Sequence, residues 1–509
     1  MSADWIAQLM KAGREEFTIP PPSEDPRANG AGTSYDVYGY QLLGPLLGEG
    51  EHSSHFLNHV GTDMLWFEQE YAEDNNGRLP WDDVIRPEPR GPQSHAGVPT
   101  PRWTRLDYTE GWDDDDPSGM DPMGGLMEGI GSNPEAAREF FTNETVYAPG
   151  EEPQLPRVDY LLHDRDWPTS FTWQGGQDTT TYPNAMNHLG DAFEAATTGE
   201  GADERSVDIV EEIVSSTYGQ MPSGEDAPRF SEEDILDPRV RESLSNVVGH
   251  YMPSVHTGLD ATNPNPGVDT SDGSVFNDAR FNTNGDERAT LLMLAELSKD
   301  DAGREILTGY NNAQTFEELL HEMDGIDDPS QITLDTESLI GTQVHGAIDF
   351  GANSHAAEEA LAADENYNQN VDEAVSVSAG LLKDTKFGSA PGVGTLVDLV
   401  SAEIAEANHQ DSRGELNSEL GAIFADNKDV RATLVRDAIW RSIPPDQLPE
   451  GMDGTEDLNN LSGADQAAYD SWLEDNDWGD RMSDVSNRAK TDYGPAVRDA
   501  EATLEAYGR

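Results

Sequence analysis

Apolar residues recur along this chain mostly at spacings of three and four, the signature of amphipathic helices. His55-Phe56-Leu57 through Leu65, Trp66, Phe67 and Tyr71 trace one such stripe. Val240, Leu244, Val247, Val248 and Tyr251 fall at i, i+4, i+7, i+8 and i+11, one helical face that Pro253 should end. Val207, Ile209, Val210, Ile213, Val214 and Tyr218 predict a helix over 204–218, with Gly219 as its stop. Further helical patterns cover 290–297, about 336–380, 395–408, 429–442 and 484–507. A short helix over 1–16 would use Trp5, Ile6, Leu9 and Met10. Strand signals are sparse, Ser170-Phe171-Thr172-Trp173 being one short candidate. No tandem repeat is visible.

Local punctuation supports these assignments. Asp121-Pro122, Asn133-Pro134 and Asp237-Pro238 each set a capping side chain before a proline at the first helical position. There the missing N–H costs nothing and the short polar side chain accepts from the next free donors. Ile19 to Pro26 holds four prolines and must break any helix. Residues 74–118, rich in Pro, Arg and Trp, read as a loop laid over a core by Trp81, Trp103 and Trp112. Residues 253–286 are dense in Pro, Asn, Gly and Asp. The expected architecture is therefore mainly α and multi-helix, with little or no sheet. Its parts are an arm and Pro-rich linker over 1–34, a helical region over 35–253, a linker over 254–286 and a second helical region over 287–509.

Composition qualifies this picture in two ways. Apolar residues make up 35%, and the 48 glycines bring the total near the globular average of roughly 45–50%. The net charge is −68, from 99 acidic against 31 basic residues, with lysine scarce. The acids are spread along the chain among helical apolar positions, so they read as a solvated outer face rather than a disordered tail. Such a field repels phosphate backbones and anionic membranes and would attract a basic partner or divalent cations. No cysteine is present, which removes disulfides and thiolate chemistry. The first residues lack the basic and apolar regions of a secretory signal, and no apolar run reaches the roughly 18 residues of a membrane span. The expected location is the cytoplasm, or outside the cell by a route without that signal.

Candidate chemistry is thin. Leu162-His163-Asp164-Arg165-Asp166-Trp167-Pro168 is the densest polar cluster, and a histidine beside carboxylates suits proton transfer. Adjacent residues point in different directions, so the binding candidates His163, Asp164, Arg165 and Asp166 equally fit a salt-bridge knot at a turn. His52, His55 and His59, at i, i+3 and i+7, share one helical face of the kind that ligates zinc or nickel. No fourth ligand is in view, so they read as helix-surface or half-buried histidines. The acid runs Asp113 to Asp116 and Asp269 to Asp272 lack the alternating oxygens of a calcium loop. Gly392-Val393-Gly394 lacks the later glycine of a dinucleotide site. Trp173-Gln174-Gly175 matches the short W-x-G turn of small secreted hairpins, a pattern common by chance. No phosphate-binding loop G-x-x-x-x-G-K-S/T, zinc-protease H-E-x-x-H or nucleophile elbow G-x-S-x-G occurs. The reading assigns no catalytic residue, no metal and no cofactor.

Several phrases nevertheless resemble a known family when taken in order. They are Asp121 to Ile130, Asn133 to Phe141, Tyr160 to Pro168, Ser216-Thr217-Tyr218-Gly219 and His250-Tyr251-Met252-Pro253. Together they resemble an actinobacterial, Streptomyces-type family of acidic helical proteins of unknown function. That family is associated with WXG100-type (type VII) secretion and polymorphic toxins. The resemblance runs over about 40–445 and is strongest over 120–255. It implies a non-enzymatic helical scaffold or a delivery and accessory module of a secretion or toxin system. The alternatives are a metal-dependent or hydrolytic enzyme using the His163 to Asp166 cluster, and an acidic binding or immunity-like protein for a basic partner.

Overall fold

The computed structural model of the chain describes residues 3–19, 35–48, 50–81, 121–142, 157–167, 170–172, 179–181, 184–199, 201–220, 234–259, 287–323, 328–332, 341–352, 430–452 and 461–505, with single positions such as 326, 454 and 458. The fold is mainly α. Two compact units divide it, Met1–Ile213 and Val214–Arg509. Of the expected linker at 254–286, residues 254–259 are helical and 260–286 lie outside the described residues.

The first unit opens with α1 (Ala3–Gly13) and a two-stranded antiparallel ribbon, β1 (Glu16–Ile19) on β2 (Tyr35–Tyr38). Helix α1, in the region expected to be an arm, packs onto α3 (Ser54–Asp74). Ile6 is buried, the Trp5 ring lies 6.1 Å from Phe56, and Arg14 stacks 4.2 Å above Trp66 while pairing with Asp63 at 2.5 Å. The rest of the unit comprises α2 (Gly39–Gly48), α4 (Pro122–Gly131), α5 (Pro134–Thr142), α6 (Asn184–Thr198) and the start of α7 (Glu204–Gly219). A second ribbon pairs β3 (Ser170–Thr172) with β4 (Thr179–Thr181), so the strand expected at 170–173 is present over 170–172, Trp173 lying outside the described residues.

Helix α4 is the centre of this unit. Eight of its ten residues are buried, and α2, α3, α5 and α6 all pack against it. A helix apolar all round is a buried helix. Its glycines make the approach possible: a Cβ on Gly125 would collide with the Gly44 carbonyl of α2, and one on Gly129 with the Leu47 carbonyl. The Asp-Pro start is realised as expected. Asp121 accepts from the Met123 N–H at 3.1 Å, and Asn133 accepts from Ala136 at 3.1 Å to start α5.

The second unit contains α8 (Pro238–His250), α9 (Met252–Leu259), α10 (Glu287–Leu297), α11 (Asp301–Met323), α12 (341–352), α13 (430–442), α14 (Gly463–Asp475) and α15 (Asp477–Glu505). Asp237 caps α8 through the Arg239 N–H at 2.9 Å, and the whole predicted face from Val240 to Tyr251 is buried. Pro253 does more than end that helix. It occupies the opening turn of α9, where a missing N–H is tolerated. A capped Asp-Pro start not singled out in the sequence, Asp328-Pro329, begins a short 3₁₀ turn. The core of the C-terminal helices gathers Phe316 and Leu319 with Leu434, Ile439, Trp440, Trp472, Trp478 and Met482. Trp440 meets Tyr469 and Trp472 edge-on at 5.3 and 5.4 Å. Among the described residues, no helix is long and apolar enough to cross a membrane.

Candidate functional site

The phrase His163-Asp164-Arg165-Asp166 does not form one site. A helical turn, Arg157–Asp159, widens into a π turn, Tyr160–Asp164, closed by the Arg165 N–H donating to the Tyr160 carbonyl at 2.8 Å. At Arg165 the backbone becomes extended (φ −78°, ψ 125°), and alternate side chains then face opposite ways. Arg165 and Trp167 turn inward, while Asp164 and Asp166 turn outward to solvent. His163 is half-buried. Its Nε2 is buried with no hydrogen-bond partner, and burial pushes its pKa down to about 4, against the opposing pull of Asp164.

Arg165 is wholly buried and ties three segments together. It donates to Asp121 through Nη1 at 2.9 Å and Nη2 at 2.7 Å. It donates to Glu68 of α3 through Nη2 at 2.6 Å and Nε at 3.1 Å. Both carboxylates are as buried as the arginine. Glu68 also accepts from Trp81 Nε1 at 2.9 Å and from the Tyr160 hydroxyl at 3.2 Å; burial raises its pKa, against the opposing pull of Arg165. Trp167 stacks 4.2 Å from the guanidinium. Burial works against the charge on Arg165, but Asp121 and Glu68 outweigh it and raise its pKa well above the ordinary value. Each nitrogen of this guanidinium thus donates to a buried carboxylate, and the Trp167 ring covers one face. Sequence reasoning missed Glu68 and Trp81 here. Trp81, expected in a loop laid over a core, is buried, and its partner stands 13 residues earlier; Trp103 and Trp112 lie outside the described residues.

The second unit has two comparable networks. Glu296 on α10 is fully buried, accepts from the Ile235 and Leu236 N–H groups at 3.1 Å, and pairs with Arg241 and Lys299 at 2.9 Å. His256 on α9 faces Glu318 through Nδ1 at 2.9 Å and Asn311 Oδ1 through Nε2 at 2.8 Å. The Asn311 amide is oriented by its own donation to the Gly341 carbonyl at 2.9 Å, so its oxygen must accept from His256. Both ring nitrogens therefore donate, and His256 is an imidazolium. Burial disfavours that charge, yet Glu318 and Asn311 outweigh it and raise the pKa. Its neighbour His345, donating to Asn312 at 2.9 Å, is pushed the other way to about 3, by burial first and then by Arg431 and His256.

Among the described residues a surface cleft of about 390 Å³ lies in the first unit, lined by His55, Asn58, His59, Glu139, Thr142 and Arg205. His55 and His59 stand one turn apart on α3 with ring centres 4.1 Å apart. His52 does not join them. Ser53 caps α3, and its side chain accepts from Phe56, so His52 precedes the helix and its Nε2 sits 2.9 Å from the Leu46 carbonyl. Arg205 enters the cleft already held by Asp203 at 2.8 Å and Glu135 at 3.3 Å. Asp113 to Asp116, Asp269 to Asp272, Trp173 to Gly175 and Gly392 to Gly394 lie outside the described residues. Comparison with protein-family models, with curated proteins and with solved structures gives no match for this chain.

Proposed function

We propose that this chain is a non-enzymatic helical scaffold, a delivery or accessory module of an actinobacterial secretion or toxin system, whose acidic outer faces meet a basic protein partner. One observation carries the first part. The densest polar phrase in the sequence directs its arginine inward as a tie between helices and its two aspartates outward, so its groups do not converge on a substrate. The networks at Glu296 and His256 likewise join helix to helix. The net charge of −68 supports a lysine- or arginine-rich partner bound at a rate that salt suppresses. The same charge is shared by the immunity-like reading, which differs only in what the partner is. The secretion setting is supported by the ordered phrases from Asp121 to Pro253.

The test is export of the tagged full chain from an actinobacterial host, with and without its type VII secretion ATPase. The proposal expects the chain, or a basic protein co-purifying with it in a salt-sensitive way, to leave the cell only when the ATPase is present. Export indifferent to the ATPase removes the secretion setting. A hydrolytic activity of the purified chain that vanishes in His163→Ala overturns the non-enzymatic reading.

A further inference from the structure

The cleft on α3 has the makings of a metal site. His55 and His59 are separated by one helical turn, so their imidazoles project from the same face. The His59 Nδ1 lies 2.9 Å from the His55 carbonyl and donates its proton to it. That bond fixes the tautomer and leaves the Nε2 lone pair as an acceptor, the backbone-anchored arrangement that metal-ligating histidines use. Oxygen donors share the cleft: the Glu139 carboxylate, which takes one bond from Asn58 at 3.2 Å, and the Thr142 hydroxyl.

We propose that His55 and His59 clamp one divalent transition-metal ion of the zinc, nickel or copper class, with water completing its shell. Imidazole selects these ions over calcium and magnesium, which take oxygen. Two imidazoles on one zinc, with each nitrogen about 2.0–2.1 Å from the ion, hold their ring centres roughly 5 Å apart. The pair at 4.1 Å must open by about 1 Å, a rotamer adjustment for rings that are exposed and half-buried. Among the described residues no three ligating side chains already surround one point, so the two-histidine clamp is the primary element. The charge balance favours a cation over an anion here. The protein carries −68, and the guanidinium lining the cleft is already neutralised by Asp203 and Glu135.

The experiment is isothermal titration of the full chain with Ni²⁺ and Zn²⁺ in a non-chelating buffer containing excess Mg²⁺, which occupies surface carboxylates. The expected result is one tight equivalent whose affinity falls at least tenfold in His55→Ala and in His59→Ala and is unchanged in His52→Ala. Both altered side chains stand on the helix surface or half-buried, and circular dichroism checks that each variant folds. Binding that the two substitutions leave intact, or that Mg²⁺ abolishes, assigns the ion to the acidic surface and overturns the site. Tighter binding of inorganic phosphate than of either metal, lost in the same variants, overturns it in favour of an anion.

Discussion

Replacing Arg165 by methionine tests the buried tie directly. The substitution keeps volume and apolar stem but removes the positive charge from between Glu68 and Asp121, none of the three side chains being more than 1% exposed. Breaking a buried ion pair by removing one partner costs about 3–5 kcal/mol, because a charge is left dry and uncompensated. Two carboxylates are stranded here. Glu68 keeps Trp81 and Tyr160, and Asp121 keeps the Met123 N–H. That residual solvation argues for about 4 kcal/mol rather than the sum of two broken pairs. At about 1.4 kcal/mol per decade, this is roughly a thousandfold fall in the protection of α4 amides from hydrogen exchange. Peptides from α8 in the second unit serve as the internal control. The triple variant Arg165→Met, Glu68→Gln, Asp121→Asn should recover most of the loss, since neutral replacement of a buried network is near neutral and asparagine still caps α4. A single substitution that lowers protection less than about fivefold, or a triple no better than the single, refutes the reasoning.

Gly125→Ala forces α2 away from α4 at the Gly44 carbonyl and should cost about 1–3 kcal/mol, read as a lower urea midpoint for the first unit. Asp237→Ala removes the cap of α8 and should cost about 1 kcal/mol by the same measurement on the second unit. His256 is held charged, so its contribution is full below its ordinary pKa of about 6.5 and is lost as pH rises through the raised native value. The second unit should therefore weaken on the alkaline side of neutrality, and His256→Gln should flatten that limb. His345 is held neutral, with its native pKa near 3, so between about 6.5 and 3 the unfolded chain binds the extra proton and stability falls as pH falls. A His345→Asn variant that keeps the full acid limb contradicts this assignment.

The helices were legible in the sequence wherever the signal is local. Asp121-Pro122, Asn133-Pro134 and Asp237-Pro238 carry both cap and proline within a few residues, and each begins a helix. The face from Val240 to Tyr251 was legible because burial follows its spacing. What α4 packs against was not, since four glycines in a helix say that something comes close without saying what. The role of Arg165 was hidden for a related reason. Its partners lie 44 and 97 residues earlier, and contiguity in the phrase suggested a cluster that the extended backbone at Arg165 takes apart. His52 shares a helical spacing with His55 and His59, but the helix capped by Ser53 begins at Ser54, two residues beyond it.

The tie among Glu68, Asp121 and Arg165 also sets an order of events during synthesis. When residues 1–142 have left the ribosome, α4 holds two unneutralised acids beside it and lacks α6, one of the helices that bury it. Its glycines give it little helical tendency of its own. The first unit is therefore a fold that closes from its later end, only after 165 and then 184–198 emerge. A fragment cut before that point contains most of the unit's helices by sequence and should behave as an unfolded, protease-sensitive chain.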